Sequence, residues 1–255
     1  MAISPDARVS PQARVPADAD IGPFSIVHGG TVIGPGARIG SHCELGHAAP
    51  DGDESVLVIG ARALIRSHSV LYAGSSIGDD FETGHRVTVR ERTRVGLGVR
   101  IGTSSDVQGD CVLEDYVRLH SGVFVAKLCA VRQFAWLMPN VTLTNDPTPP
   151  SEHLRGCEVG ERAVVAAGAL VLPGITIGAD ALVGAKACVG IDVPPGMVAL
   201  GVPARITGKA SGVRLRADDP QAAYPWIRHF HRGYPQDVVE SWKRKPNEPE
   251  RSDAP

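Results

Sequence analysis

The residues best equipped for chemistry gather in a few short segments. His85 stands in TGHRVTV, and His120 follows 35 residues later. An imidazole titrates close to neutrality, so either ring can take up and return a proton at ordinary pH. Arg66, Arg86 and Arg90 surround His85 in the sequence, and Asn145-Asp146 in TLTNDPTPP offers an acceptor and donor pair on a proline-stiffened loop. Cysteine chemistry is not expected. The five cysteines form no CxxC pair, and Cys43, Cys111, Cys129 and Cys157 occupy positions where Ala or Ser recurs, so they read as small apolar fillers.

A repeat of six residues must position these groups. Stepping by six from Ile3 meets an aliphatic residue through Leu45, again from Ile59 to Leu143, and again from Val159 to Val189. Of 29 such slots, 28 are Ile, Leu or Val, and Thr83 is the exception, two residues before His85. Gly often follows the aliphatic residue, where a turn wants it, and a small residue such as Ala7, Ser69 or Ala163 stands two before it. A period of six fits neither an amphipathic helix nor a simple alternating strand. It predicts three short strands per 18-residue coil, in an all-β parallel helix of about ten coils stacked at roughly 4.8 Å. Phe81 takes a small-filler position, so the coil around Thr83 is expected to be specially packed.

Two register breaks mark loops that leave the scaffold, residues 46–58 with eight extra residues and 144–158 with ten. Loops on rigid scaffolds often carry binding residues. The repeat ends near Gly208. Residues 209–243 read as a helical extension with several aromatics, and 244–255 as a disordered tail.

Composition narrows the function. Aromatics are few at 5%, while 29 Gly and 20 Pro suit short strands and tight turns. A net charge of -2 gives no reason to expect nucleic acid, and no run of apolar residues is long enough to span a membrane. The first twenty residues lack the pattern of a secretory signal, so a cytoplasmic protein is expected.

The hexads resemble those of the hexapeptide-repeat acyltransferases over about residues 1–208. The resemblance implies a left-handed parallel β-helix, a homotrimer with active sites between subunits, and acyl transfer from acetyl-CoA without a metal. TGHRVTV is similar to the segment that carries the catalytic histidine of the sugar-modifying members, which makes His85 the expected base. Acyl transfer from a thioester needs a base for the acceptor's proton, a donor for the tetrahedral oxyanion, and both substrates held together. Thr103, one coil above His85, is the expected oxyanion donor through its backbone N–H, with His120 within reach. GVPAR resembles the coenzyme A segment of such enzymes, implicating Gly201, Pro203, Ala204 and Arg205, with Ala166, Ala167, Gly168, Ala185 and Lys186 along the pantetheine arm. The TND loop looks most like that of N-acetyltransferases acting on dTDP- or UDP-linked amino sugars. Arg66, Arg86, Arg90, Asn145 and Asp146 would then face the acceptor, with the arginines near its diphosphate. A hydroxyl or another amine as acceptor stays open, as does a non-catalytic scaffold. A γ-class carbonic anhydrase would need three histidines, two of them five residues apart, yet position 90 is Arg and position 125 is Val.

Overall fold

The computed structural model describes residues 2–50, 55–216 and 218–243. The predicted tail at 244–255 and part of the predicted loop at 46–58 lie outside the described residues.

Short strands stack into three parallel sheets of eleven, ten and eight strands, forming a β-solenoid of about ten coils. The 18-residue spacing sets the register, with Thr83 paired to Ile101, Ile101 to Leu119, and Leu119 to Leu137. Across the two breaks the pairing resumes between Leu45 and Leu71 and between Leu137 and Val165, so the aliphatic slots stay stacked on either side of each break. We call the sheet with Thr83 the first face, the sheet with Val89 the second, and the sheet with Val95 the third.

From Ile21 onward the aliphatic slots point inward and are almost fully buried, as are Cys43, Cys111, Cys129 and Cys157, while Val9 and Val15 are partly buried and Ile3 is exposed. Phe81 is buried too, the largest of the fully enclosed side chains. Most corners turn through a residue of left-handed φ, Gly at some and Arg86, Ser104 or Asp110 at others. Arg–Asp pairs link some of these corners one coil apart, with Arg62 Nε donating to Asp80 Oδ1 at 2.7 Å and Arg92 Nε to Asp110 Oδ1 at 2.8 Å.

The stack closes with an antiparallel hairpin, Met197–Gly201 against Ala204–Lys209. The extension then carries a small strand pair, Arg214–Arg216 with Asp219–Ala222, a 3-10 turn at Trp226–Arg228, and one helix, Gln236–Lys243. It lies back along the first face, on a second apolar cluster built from Phe134, Val164, Trp226, Tyr234 and Val239. Eight of the twelve aromatic side chains belong to this cluster or pack against it, so the scarce aromatics are spent on docking the extension rather than on the solenoid. Trp136 Nε1 donates to Tyr234 Oη at 2.9 Å, and Trp226 Nε1 donates to the Arg162 carbonyl at 3.1 Å.

Candidate functional site

A cavity of about 650 Å³ opens where the first face, its corner with the second face, and the returning extension meet. The first face contributes its outward column, Glu82, Arg100, Arg118 and Trp136, one residue per coil. The corner contributes His85, Thr103 and Ser121, again one per coil. Phe230, Arg232 and Gly233 of the extension form the remaining wall.

The Thr83 exception has a local consequence. In regular coils the N–H after the slot donates to the slot carbonyl of the next coil, as Gly84 N–H does to Ile101 O at 2.7 Å. At Thr83 the hydroxyl intervenes. The Arg66 backbone N–H donates to Thr83 Oγ1 at 2.9 Å, and the Thr83 carbonyl instead accepts from the Arg66 guanidinium at 2.6 Å. One hydroxyl in an aliphatic slot thereby turns an arginine over the strand and toward the cavity. Arg66 also pairs with Glu82 at 2.8 Å, and Glu82 pairs with Arg100 at 3.2 Å.

His85 is exposed, with Nδ1 2.7 Å from Ser67 Oγ, the residue one coil below it. When Nδ1–H donates to that hydroxyl, Nε2 is the lone-pair nitrogen. The His85 backbone N–H donates to Thr103 Oγ1 at 3.2 Å, and the His85 carbonyl accepts from Ser104 N–H at 2.9 Å. The Thr103 N–H has no acceptor among the described residues. Gly84 keeps it open, because a Cβ there would stand 2.3 Å from the Thr103 nitrogen. His120 is half-buried beside Trp136, with ring centroids 5.6 Å apart, and burial holds its pKa below the ordinary imidazole value. It is therefore neutral at pH 7.

Arg118 is buried without a carboxylate partner among the described residues. Its guanidinium donates to the Gly98 carbonyl in its own stack and, at 3.1 Å, to the Gly233 carbonyl of the extension, and it lies 4.8 Å from the centre of the Tyr234 ring. Burial lowers its pKa to about 10, so it stays charged at neutrality. Among the described residues lining the cavity, Arg66, Arg100, Arg118 and Arg232 face one acidic side chain, Glu82. The excess of three positive charges in a partly enclosed space favours an anionic ligand.

The structure therefore brings His85, Thr103, His120 and Arg66 into one cavity. It does not bring Arg86, Arg90, Asn145 or Asp146 there. Arg86 is exposed at the next corner position, and Arg90 pairs with buried Glu91 at 3.0 Å and stacks over Tyr72 on the second face. Asn145 Nδ2 donates to Lys127 O at 3.1 Å, while Asp146 accepts from Ser151 N–H at 2.7 Å and Thr148 N–H at 3.0 Å inside its own loop. Ala166, Ala167, Gly168, Ala185 and Lys186 continue the corner above His85. Gly122 N–H bonds to Thr103 O, Asn140 to Ser121, Gly168 to Pro139 and Lys186 to Ala167, which makes one unbroken ladder. Four coils separate His85 from Ala167, roughly 19 Å. Gly201, Pro203, Ala204 and Arg205 form the closing hairpin turn, with the Arg205 guanidinium donating to Ala204 O at 3.0 Å.

No family model matches the sequence. Among curated proteins, the bifunctional protein GlmU of Bifidobacterium longum subsp. infantis is 29% identical over 184 residues, covering 69% of this chain and 36% of that protein. Serine acetyltransferase of Mycobacterium tuberculosis is 33% identical over 133 residues, covering 51% of this chain and 56% of that protein. The chain thus spans between about a third and just over half of these relatives' lengths. In three dimensions the chain matches the Arabidopsis UDP-N-acetylglucosamine acyltransferase with a TM-score of 0.53 at 18% identity, over 82% of this chain and 74% of that one. LpxA, a UDP-N-acetylglucosamine acyltransferase of Bacteroides fragilis, matches with a TM-score of 0.50 at 18% identity, over 94% and 82%. The chain is similar in sequence to part of these curated proteins and shares the fold of the two solved acyltransferases.

The periodic part of the cavity follows a simple rule of spacing. Counting 18 back from His85 finds Ser67, and counting 18 on from Glu82 finds Arg100, Arg118 and Trp136. Phe230, Arg232 and Gly233 carry no such signal, since their place depends on the path of the extension.

Proposed function

We propose that this chain is an acyl-CoA-dependent acyltransferase, a cytoplasmic homotrimer that transfers acetyl from acetyl-CoA to the amine of a nucleotide-linked amino sugar. The observation that carries the reading is the cavity: a histidine with one ring nitrogen held by Ser67, an unpaired N–H at Thr103, and four arginines against one carboxylate. Acetyl-CoA would supply the thioester, with its arm along the small-residue corner from Ala166, Ala167 and Gly168 to Ala185 and Lys186, and its nucleotide end toward Gly201, Pro203, Ala204 and Arg205.

In this reading Ser67 holds His85 so that Nε2 accepts the proton of the acceptor amine as nitrogen attacks the thioester carbon. The Thr103 N–H donates to the oxyanion, and the proton on His85 passes to the departing thiolate. Arg66, Arg100, Arg118 and Arg232 bind the acceptor's phosphates. His120, neutral at pH 7, faces the acceptor from about two coils above His85 and is a second base within the cavity. Because His85 is exposed at a corner, a neighbouring copy packed there would complete the site.

The test is thiol release from acetyl-CoA against a panel of nucleotide-linked amino sugars, the matching free sugars, and hydroxyl acceptors. Turnover is expected with the nucleotide-linked amines, and the free sugars should be poor because the arginines lose their phosphate partners. Equal turnover of free and linked sugars would remove the role given to the arginines. No thiol release with any acceptor would favour a binding or scaffold protein.

A further inference from the structure

A second group of chemically competent side chains lies away from this cavity. Among the described residues, His28, Glu44 and His47 bring three possible metal-ligating atoms within 4.8 Å of one another. His28 Nε2 and His47 Nδ1 each lie 2.8 Å from the same oxygen, Glu44 Oε1. The group stands at the edge of the second face, and none of its members lines the cavity that holds His85.

The backbone has to break its rule to build this group. In a regular strand Glu44 and Gly46 point outward, while Leu45 and His47 would point inward. The pairing of Glu44–His47 with Val70–Tyr72 slips between Leu45 and His47, so His47 emerges on the same side as Glu44. Gly46 makes the slip possible. Its φ is +79°, and a Cβ there would lie 2.3 Å from Thr31 Oγ1 and 3.4 Å from the His28 Cβ. The slip falls where the chain enters the first register break. Tyr72 packs edge-on against the His47 ring at 4.7 Å and limits its swing.

We propose that His28, Glu44 and His47 form a binding site for a divalent transition-metal ion of the zinc class, one that ties the end of the Glu44–His47 strand to the neighbouring coil. Two imidazoles and a carboxylate are a complete protein ligand set for zinc, with the fourth position left to water. Zinc bonds of about 2.1 Å place neighbouring ligands roughly 3.4 Å apart around a tetrahedral ion. The two 2.8 Å contacts need open only by about half an ångström, and the three donors already lie on one side of the strand. The side chains are 41%, 31% and 42% exposed, so an ion can enter without opening the fold. Carboxylate and imidazole suit zinc better than magnesium or calcium, which favour all-oxygen shells.

The experiment titrates the chelator-dialysed full chain with Zn²⁺ by calorimetry, and with Co²⁺ by visible absorption. One ion per chain is expected, and the cobalt form should show the intense d–d bands of low coordination number. His28→Ala combined with His47→Ala should weaken binding by about a hundredfold or more. His85→Ala combined with His120→Ala should bind like the unaltered chain. Glu44→Gln, which keeps the shape of the group, should weaken binding about tenfold or more and serves should the double variant misfold. Absence of a stoichiometric site, unchanged binding in both Glu44→Gln and the His28/His47 variant, or loss of the ion on removing His85 and His120 would each overturn the proposal.

Discussion

Two adjacent coils of the first face share one backbone and differ in what they do with it. In the coil that holds Ile101, the slot is aliphatic and its carbonyl accepts the Gly84 N–H in the ordinary ladder. In the coil that holds Thr83, the slot is equally buried, but its hydroxyl takes the Arg66 N–H and releases its carbonyl to the Arg66 guanidinium. The corners that follow diverge as well. His85 offers a side chain to the cavity, whereas Thr103 offers a backbone N–H that Gly84 leaves uncovered. A solenoid interior this uniform tolerates almost no variation, so a single hydroxyl inside it can redirect a charged group outside it.

The sharpest way to separate the two corners is to remove both side chains in turn. His85→Ala should lower kcat by about a hundredfold or more, because it removes the proposed base. Thr103→Ala keeps the backbone N–H, so kcat should stay within a few-fold of the unaltered chain. Steady-state kinetics with both variants folded reads the contrast, and equal losses would erase it.

Exchanging the slots tests the wiring. Ile101→Thr should destabilise the chain by about 1–3 kcal/mol, since it loses apolar packing and buries a hydroxyl whose neighbour in the adjoining coil is Gly84, not an arginine. Thr83→Val should leave stability within about 1 kcal/mol, since the regular ladder can re-form, while KM for the acceptor rises about three- to tenfold as Arg66 loses its anchor. Denaturant melts paired with kinetics distinguish the two. An unchanged KM in Thr83→Val would mean that Arg66 needs no help from the slot.

The smallest effect belongs to the corner pairs, which both coils share. The hydrogen bond from Arg92 outweighs burial and holds the Asp110 carboxyl below its ordinary range. A carboxyl with a depressed folded pKa adds stability above its unfolded value, near 3.9, and that contribution fades as the pH falls through the folded value. Asp110→Asn should therefore cost less than about 1 kcal/mol at pH 7, because the pair is partly solvated. Near pH 3 the variant and the unaltered chain should converge. Thermal melts at the two pH values measure this, and a constant gap would assign the effect to packing.

Much of this was readable from spacing alone. Val, Ile and Leu at every sixth position demand burial on one side of each short strand, and the extra lengths of eight and ten in the two breaks agree with the resumed pairings of Leu45 with Leu71 and Leu137 with Val165. Thr83 stood out because the other slots agree so closely. The placement of Thr103 above His85 follows from the same count. Arg90, Asn145 and Asp146 were harder to read, because sequence proximity to a corner or loop does not say which way a side chain turns. Arg90 satisfies Glu91, and Asp146 folds into its own loop.

The sequence by itself determined the solenoid, its register, and the corner on which His85 stands, because those depend on contacts between residues one repeat apart. Tertiary structure alone decided how the cavity is closed. Trp136 meets Tyr234 across 98 residues, and Arg118 reaches Gly233 across 115. Those contacts follow no period. They arise because an aromatic-rich extension buries its apolar side chains on the one stretch of the first face that presents Trp136, Val164 and Leu182 outward. In docking there, it sets Phe230 and Arg232 opposite the catalytic corner proposed here.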